Sequence, residues 1–154
     1  GTGALGAVLR DLGLQVTGME PADRMLAVAQ SKLGDTSVQL LQGDVLAGLP
    51  FAENTCAAAI ASYVAHGLAP DQRKKLYREM GRVARDKVII YDYNQNRSLL
   101  TSFVEWLEQG DYFRFIKTAE HEMKNCINEM KTCFSEVRIL HVDKRAAWYI
   151  CTPL

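Results

Sequence analysis

At 154 residues, 48% apolar and 23% charged, the chain fits one domain with a core of its own and has the composition of an ordinary globular protein. Its 18 basic and 18 acidic side chains cancel, so no strong pull toward nucleic acid or anionic membrane is expected. No apolar run approaches the roughly 20 residues of a membrane-spanning helix.

The chain opens on Gly1-Thr2-Gly3-Ala4-Leu5-Gly6. Glycines lack the Cβ that would block a tight turn or a close approach to a ligand. Leu5, Val8, Leu9 and Leu12 follow at helical spacing, which predicts a helix from Ala4 to about Gly13 whose first N–H groups are free. Gln15–Met19 reads as a strand ending at Glu20, where a carboxylate can accept from the two hydroxyls of a ribose. A helix is predicted from Pro21 to about Leu33, with Pro21 in its first turn and Gly34 as its stop. Ala22, Met25, Leu26, Ala29 and Leu33 share its apolar face. Ser37–Leu41 is the next strand, and Gln42–Asn54 is a loop. Thr55–Ser62 is small and apolar, as a strand buried on both faces is. Asp71–Ala84 reads as a helix with Leu76, Met80 and Val83 inward, and Lys87–Tyr91 as a buried strand. Then the alternation breaks. Leu99–Leu107 and about Thr118–Thr132 read as helices flanking the aromatic bend Gly110–Phe115. Glu136–Val142 and Ala146–Cys151 form an antiparallel hairpin across Asp143-Lys144-Arg145. Alternating strands and helices predict an α/β class with a largely parallel sheet in one domain, 1–154, with 94–133 as a helical acceptor-side insertion.

Charge is uneven along the chain. Residues 1–70 carry 3 basic and 6 acidic side chains, residues 71–85 carry 6 and 2. A solvated helix face is the expected reading, since only Tyr77 interleaves the basic residues as a stacking aromatic. The four cysteines at 56, 126, 133 and 151 form no CxxC pair, so no metal site is expected. Cys126 and Cys133 lie about 10 Å apart along one helix, too far to bridge. Reduced thiols and no signal peptide point to the cytoplasm.

The pattern Gly1-x-Gly3-x-x-Gly6 alone also matches the dinucleotide fingerprint of NAD-binding domains. Three further segments separate the readings: Gly18-Met19-Glu20-Pro21-Ala22-Asp23-Arg24-Met25-Leu26, then Gln42-Gly43-Asp44-Val45 with Leu49-Pro50-Phe51, then Arg78–Val83 before Lys87–Tyr91. In this order the chain resembles the class I S-adenosylmethionine-dependent methyltransferases that act mostly on small molecules. The resemblance runs from Gly1 to about Tyr91 and returns in the final hairpin. It implies a Rossmann-like, doubly wound sheet with strand order 3-2-1-4-5-7-6. It also implies a first strand ahead of Gly1, so the polypeptide is expected to extend upstream.

The same resemblance assigns cofactor contacts to Gly1, Thr2, Gly3, Glu20, Pro21, Asp44, Val45 and Ser62. Glu20 takes the ribose, Asp44 the adenine amino group, and the Val45 N–H a ring nitrogen. Met25 is either an adenine wall or core packing. Methyl transfer asks for in-line placement of a nucleophile, and for a base where that nucleophile is an O–H or N–H. His66 is the catalytic candidate, with a structural histidine as the other reading. Tyr63, Tyr93 and Asn94 are the candidate contacts to a small-molecule acceptor. Phe103, Trp106, Tyr112, Phe113 and Phe115 are core or part of a lid. Cys56-Ala57 stands where relatives usually have Phe-Asp, and Asp86-Lys87 where they have a Pro-Gly-Gly turn. Two rival classes remain: a non-catalytic cofactor-fold subunit, and an NAD-dependent oxidoreductase, for which no Tyr-x-x-x-Lys or comparable hydride-transfer group appears.

Overall fold

The computed structural model describes residues 1–34, 37–94, 125–143 and 146–154. The chain divides into two compact units, Gly1–Leu49 and Pro50–Leu154.

The first unit contains helix α1 (Ala4–Asp11), strand β1 (Val16–Glu20), helix α2 (Asp23–Leu33) and strand β2 (Val38–Gln42). β1 and β2 pair in parallel from Val16↔Val38 to Glu20↔Gln42. Leu26, Ala29 and Leu33 of α2 are buried with Val38 of β2, as the apolar spacing of α2 predicts. Met25 is 45% exposed, so it is not core. Gly3 caps α1 in the left-handed region (φ 81°), and a Cβ there would meet Leu33 Cδ1 at 3.0 Å and Ala29 Cα at 3.2 Å. That glycine therefore sets both the turn and the approach of α1 to α2. Pro21 precedes α2 and does not open it; the helix begins two residues later, after Glu20 Oε1 accepts the Ala22 N–H at 2.9 Å.

The second unit holds strand β3 (Cys56–Ser62), helix α3 (Pro70–Val83), strand β4 (Ala84–Tyr93), a helix over 125–133 (α4), and strands β5 (Glu136–His141) and β6 (Ala146–Thr152). Its sheet runs β3-β4-β6-β5, with β3 and β4 parallel and β6 antiparallel to both neighbours. That order is the 4-5-7-6 half of the expected sheet, and the β1–β2 pair is its 2-3 half. No ladder joins β1 to β3 among the described residues. Leu76, Tyr77, Met80 and Val83 of α3 are buried, as are Val88 and Ile90 of β4 and Ala147, Tyr149 and Cys151 of β6. Tyr77 and Phe134 rings lie 6.0 Å apart, which brings the end of α4 onto α3.

Two expectations give way here. β3 is not buried on both faces: Ala61 alone is buried, and among the described residues β4 is the strand paired with β3. The basic stretch is not simply a solvated helix face. Arg73 of α3 is 1% exposed and grips Glu129 of α4 with Nε at 2.7 Å and Nη2 at 2.9 Å, while its Nη1 donates to the Leu68 carbonyl at 2.6 Å. The predicted helix Leu99–Leu107, the aromatic bend and the stripe Phe103, Trp106, Tyr112, Phe113 and Phe115 lie outside the described residues.

Candidate functional site

In the first unit the carboxyl ends of β1 and β2 gather the sequence-predicted cofactor residues. Parallel strands end side by side, so the loops that follow them are neighbours. The Gly43 N–H donates to the Glu20 carbonyl at 3.3 Å, which ties the loop after β2 to the end of β1. A Cβ on Gly43 would meet Met19 Sδ at 3.0 Å, so only glycine allows this approach unhindered. Glu20 reaches back to the opening glycine turn, where its carboxylate lies against the Gly1 nitrogen. Nothing would meet a Cβ on Gly1 within 4 Å. The first N–H groups of α1 follow the opening glycine turn, a polarity suited to an anionic group. Asp44 caps the short 3-10 turn Val45–Ala47, with Oδ1 accepting the Leu46 N–H at 2.8 Å. That bond fixes the side chain while a carboxylate keeps acceptor capacity to spare. Pro21 sits between Glu20 and the helix. Gly1, Thr2, Gly3, Glu20, Pro21, Asp44 and Val45 thus belong to one unit; Ser62 belongs to the other.

In the second unit the carboxyl ends of β3 and β4 carry an aromatic cluster. Ser62 pairs with Tyr91 at the end of the β3–β4 ladder. Tyr63 follows in the left-handed region (φ 54°), an uncommon place for a bulky residue, and its N–H donates to the Tyr91 carbonyl at 2.8 Å. Its ring stands edge-on to Tyr91 at 4.9 Å and to Tyr93 at 5.3 Å. The His66 ring meets Tyr93 at 4.9 Å. His66 Nδ1 lies 2.8 Å from Oδ1 of Asp92, whose side chain is fully buried. Asp92 is held in turn, with Oδ2 accepting the His66 backbone N–H at 3.3 Å and Oδ1 the Tyr93 N–H at 2.9 Å. Burial and the bond to the Tyr91 hydroxyl push the Tyr63 hydroxyl above its ordinary range, so Tyr63 stays protonated at neutral pH. Asn94 is buried, and its Nδ2 donates to the Asp143 carbonyl at 3.1 Å. It ties the end of β4 to the β5–β6 connection.

The structure thus brings His66, Tyr63 and Tyr93 together and adds Asp92 and Tyr91. Sequence reasoning missed both. Their signal was the alternation Tyr91-Asp92-Tyr93, which puts an acid on the buried face of a strand otherwise filled by Val88 and Ile90. A buried acid inside an apolar run needs a partner, and His66 is the partner found. Among the described residues, no group of three His, Cys, Asp or Glu side chains could hold a metal ion.

The model of the methyltransferase domain family matches residues 1–87, more than half of the chain. An uncharacterized methyltransferase of Bacillus licheniformis is 28% identical over 127 residues, 79% of this chain and 58% of its own length. The chain therefore spans little more than half of that curated relative. Among solved structures, a protein from Pyrococcus horikoshii OT3 superposes with a TM-score of 0.76 at 19% identity, covering all of this chain and 78% of its own. A SAM-dependent methyltransferase from Methanosarcina mazei gives 0.72 at 13% identity, with 100% and 89% covered. PigF, solved with SAH, gives 0.68 at 15% identity, with 99% and 48% covered. At these identities the structures establish the Rossmann-like α/β fold, and the family match reaches further, across the glycine turn, Glu20, Asp44 and the His66 segment: the chain belongs to the methyltransferase domain family, the class I S-adenosylmethionine-dependent methyltransferases.

Proposed function

We propose that this protein binds S-adenosylmethionine through Gly1, Thr2, Gly3, Glu20, Pro21, Asp44, Val45 and Ser62, and methylates a small organic acceptor met by Tyr63 and Tyr93. The observation that carries the reading is the convergence of the glycine turn, Glu20 and the Asp44 turn at the carboxyl ends of β1 and β2. These residues fit the cofactor on chemistry alone. Glu20 offers a two-oxygen acceptor for a diol, Asp44 an acceptor for an amino group, and the α1 N-terminus a set of donors for a carboxylate. The cofactor, when bound, supplies an electrophilic methyl on a sulfonium. The protein supplies placement, exclusion of water and a base, and His66 is the candidate for the base. A cytoplasmic location is part of this proposal, consistent with the buried free thiols Cys126, Cys133 and Cys151.

Calorimetry and thermal shift with S-adenosylhomocysteine and with NAD test it. Binding of the first at micromolar affinity, with a stabilisation of about 2.7 kcal/mol at a hundredfold excess over Kd, is the expected result. A shift with NAD in its place refutes it. Glu20→Ala should weaken S-adenosylhomocysteine by about 1.5–3 kcal/mol, the loss of charge-assisted hydrogen bonds to a diol, while leaving the far-UV spectrum unchanged. Unaltered affinity would remove Glu20 from the site.

A further inference from the structure

Among the described residues, β5 is the outer strand of the order β3-β4-β6-β5 and pairs with β6 alone. Backbone groups along an antiparallel strand point alternately to its two sides, so one fixed hydrogen bond assigns them all. The Val142 N–H donates to the Ala146 carbonyl at 3.2 Å, one step along the ladder from His141↔Ala147. Glu136, Arg138 and Leu140 therefore bond to β6, and Val137, Ile139 and His141 turn their N–H and C=O groups outward. Natural edges are blunted by Lys, Pro, a bulge or a cover. Glu136–His141 contains neither Lys nor Pro, and its ladder from Glu136↔Thr152 to His141↔Ala147 runs without a register shift. Ile139, Leu140 and Val142 are 40%, 51% and 44% exposed along this edge. Such an edge is a template for a further strand.

The residues of β5 fit a second copy of β5. Outward residues must meet outward residues, so the two-fold axis of an antiparallel pair passes through a residue and not between two. Centred on Arg138, the pair would set Arg138 against its own copy, and like charges directly opposite are destabilising. Centred on Val137 or Leu140, it would leave one end of β5 beyond the strand of the copy. Centred on Ile139, it pairs the whole strand. Ile139 then faces its copy, Arg138 faces Leu140, Val137 faces His141 and Glu136 faces Val142. No like charges are opposed, and Ile139, Leu140 and Val142 each gain a cross-strand neighbour. A formal net charge of zero sets up no long-range repulsion between copies. We propose that β5 is a dimerisation strand: two copies of this chain pair β5 antiparallel about a two-fold axis at Ile139, joining two four-stranded sheets into one.

Sedimentation velocity and light scattering over a concentration series read the mass. The wild-type chain should reach the mass of two copies and stop there. Ile139→Pro removes an outward N–H and leaves every β5–β6 bond in place, as a proline on an edge strand does. It should stay monomeric with an unchanged far-UV spectrum. Leu140→Lys sets an ammonium opposite Arg138 of the copy and should also be monomeric. Adding Arg138→Glu to Leu140→Lys replaces that repulsion with an opposite-charge pair and should restore the dimer. The charge variants decide the matter even where the proline unfolds the hairpin. A wild-type monomer throughout the series overturns the proposal and leaves the edge to a strand of another protein. Mass that grows past two copies overturns the two-fold closure. A dimer that survives either single variant in folded form places the contact elsewhere and overturns it, and a double variant that stays monomeric refutes the register.

Discussion

Gly3 offers the sharpest test of how the first unit is built. Its φ of 81° lies in the left-handed region, where a Cβ costs about 1–2 kcal/mol whatever surrounds it. The surroundings add more. An alanine Cβ would meet Leu33 Cδ1 at 3.0 Å, Ala29 Cβ at 3.1 Å and Ala29 Cα at 3.2 Å. The first is the end of a flexible side chain and can swing away. The last is helix backbone and can move only with α2, so overpacking adds about 1–3 kcal/mol. Gly13 supplies the control, with φ 79° but nothing within 4 Å of its would-be Cβ. Gly13→Ala should therefore cost only the conformational part, about 1–2 kcal/mol, and Gly3→Ala about 2–5 kcal/mol. Urea unfolding followed by far-UV circular dichroism measures both. Equal losses would show that α1 does not approach α2 through Gly3 and that the glycine serves the turn alone. Gly1→Ala separates packing from ligand approach: with open space at its Cβ it should leave stability within about 0.5 kcal/mol, so a fall in S-adenosylhomocysteine affinity would report the cofactor.

The buried Arg73–Glu129 pair predicts that Arg73→Met alone costs about 3–5 kcal/mol, by stranding a carboxylate, while Arg73→Met with Glu129→Leu recovers most of it; an equal loss in the double variant would refute the pairing. Three thiols are buried and Cys56 is half-buried, so Ellman's reagent should find one fast thiol in the native protein and four in urea; early reaction of a second would contradict the packing of α4 and β6. Burial pushes Cys126 up to about 11 and Cys151 up to about 12, whereas unfolded thiols ionise near about 8.5. The folded state thus keeps protons that the unfolded chain gives up. Their contribution is complete below about pH 8.5 and is lost as pH rises toward the folded values, so the urea midpoint should fall between about pH 8.5 and 11. A midpoint that rises across that range would reverse the sign.

What the sequence made legible was local or periodic. Gly34, at φ 53°, ends α2 where a glycine after an apolar helical run was expected to end it. α3 buries the Leu76, Met80 and Val83 that its spacing selects, and the C-terminal hairpin falls within a residue or two of its predicted ends. The glycine turn and Glu20 were readable because nineteen residues of helix and strand return the chain to its starting point, a property of one α/β unit. Burial by layer was less readable, because apolar composition does not say whether a strand lies at an edge. β3 and β4 carry similar runs, yet among the described residues β4 is paired on both sides and β3 with β4 alone.

Asp92 shows the limit most clearly. It stands 26 residues from His66, and no spacing rule links them. Their contact follows from three separate facts: β3 and β4 are parallel, Ser62 is level with Tyr91, and the chain after Ser62 turns back through Tyr63 into the 3-10 turn Ala65–Gly67. The register shifts between Cys56 and Ala58. Residues facing one side of a strand recur every second position, so a one-residue change in that register would carry Asp92 off the buried face and put Tyr91 or Tyr93 there. His66 would then meet a phenol ring where it now meets a carboxylate. A histidine with no acid behind it is what the sequence shows, and a histidine held by an acid is what the register makes. The proposed role of His66 as a base therefore depends on strand pairing that lies wholly within the second unit. Disturbing that pairing should part His66 from Asp92 without touching Glu20 or Asp44.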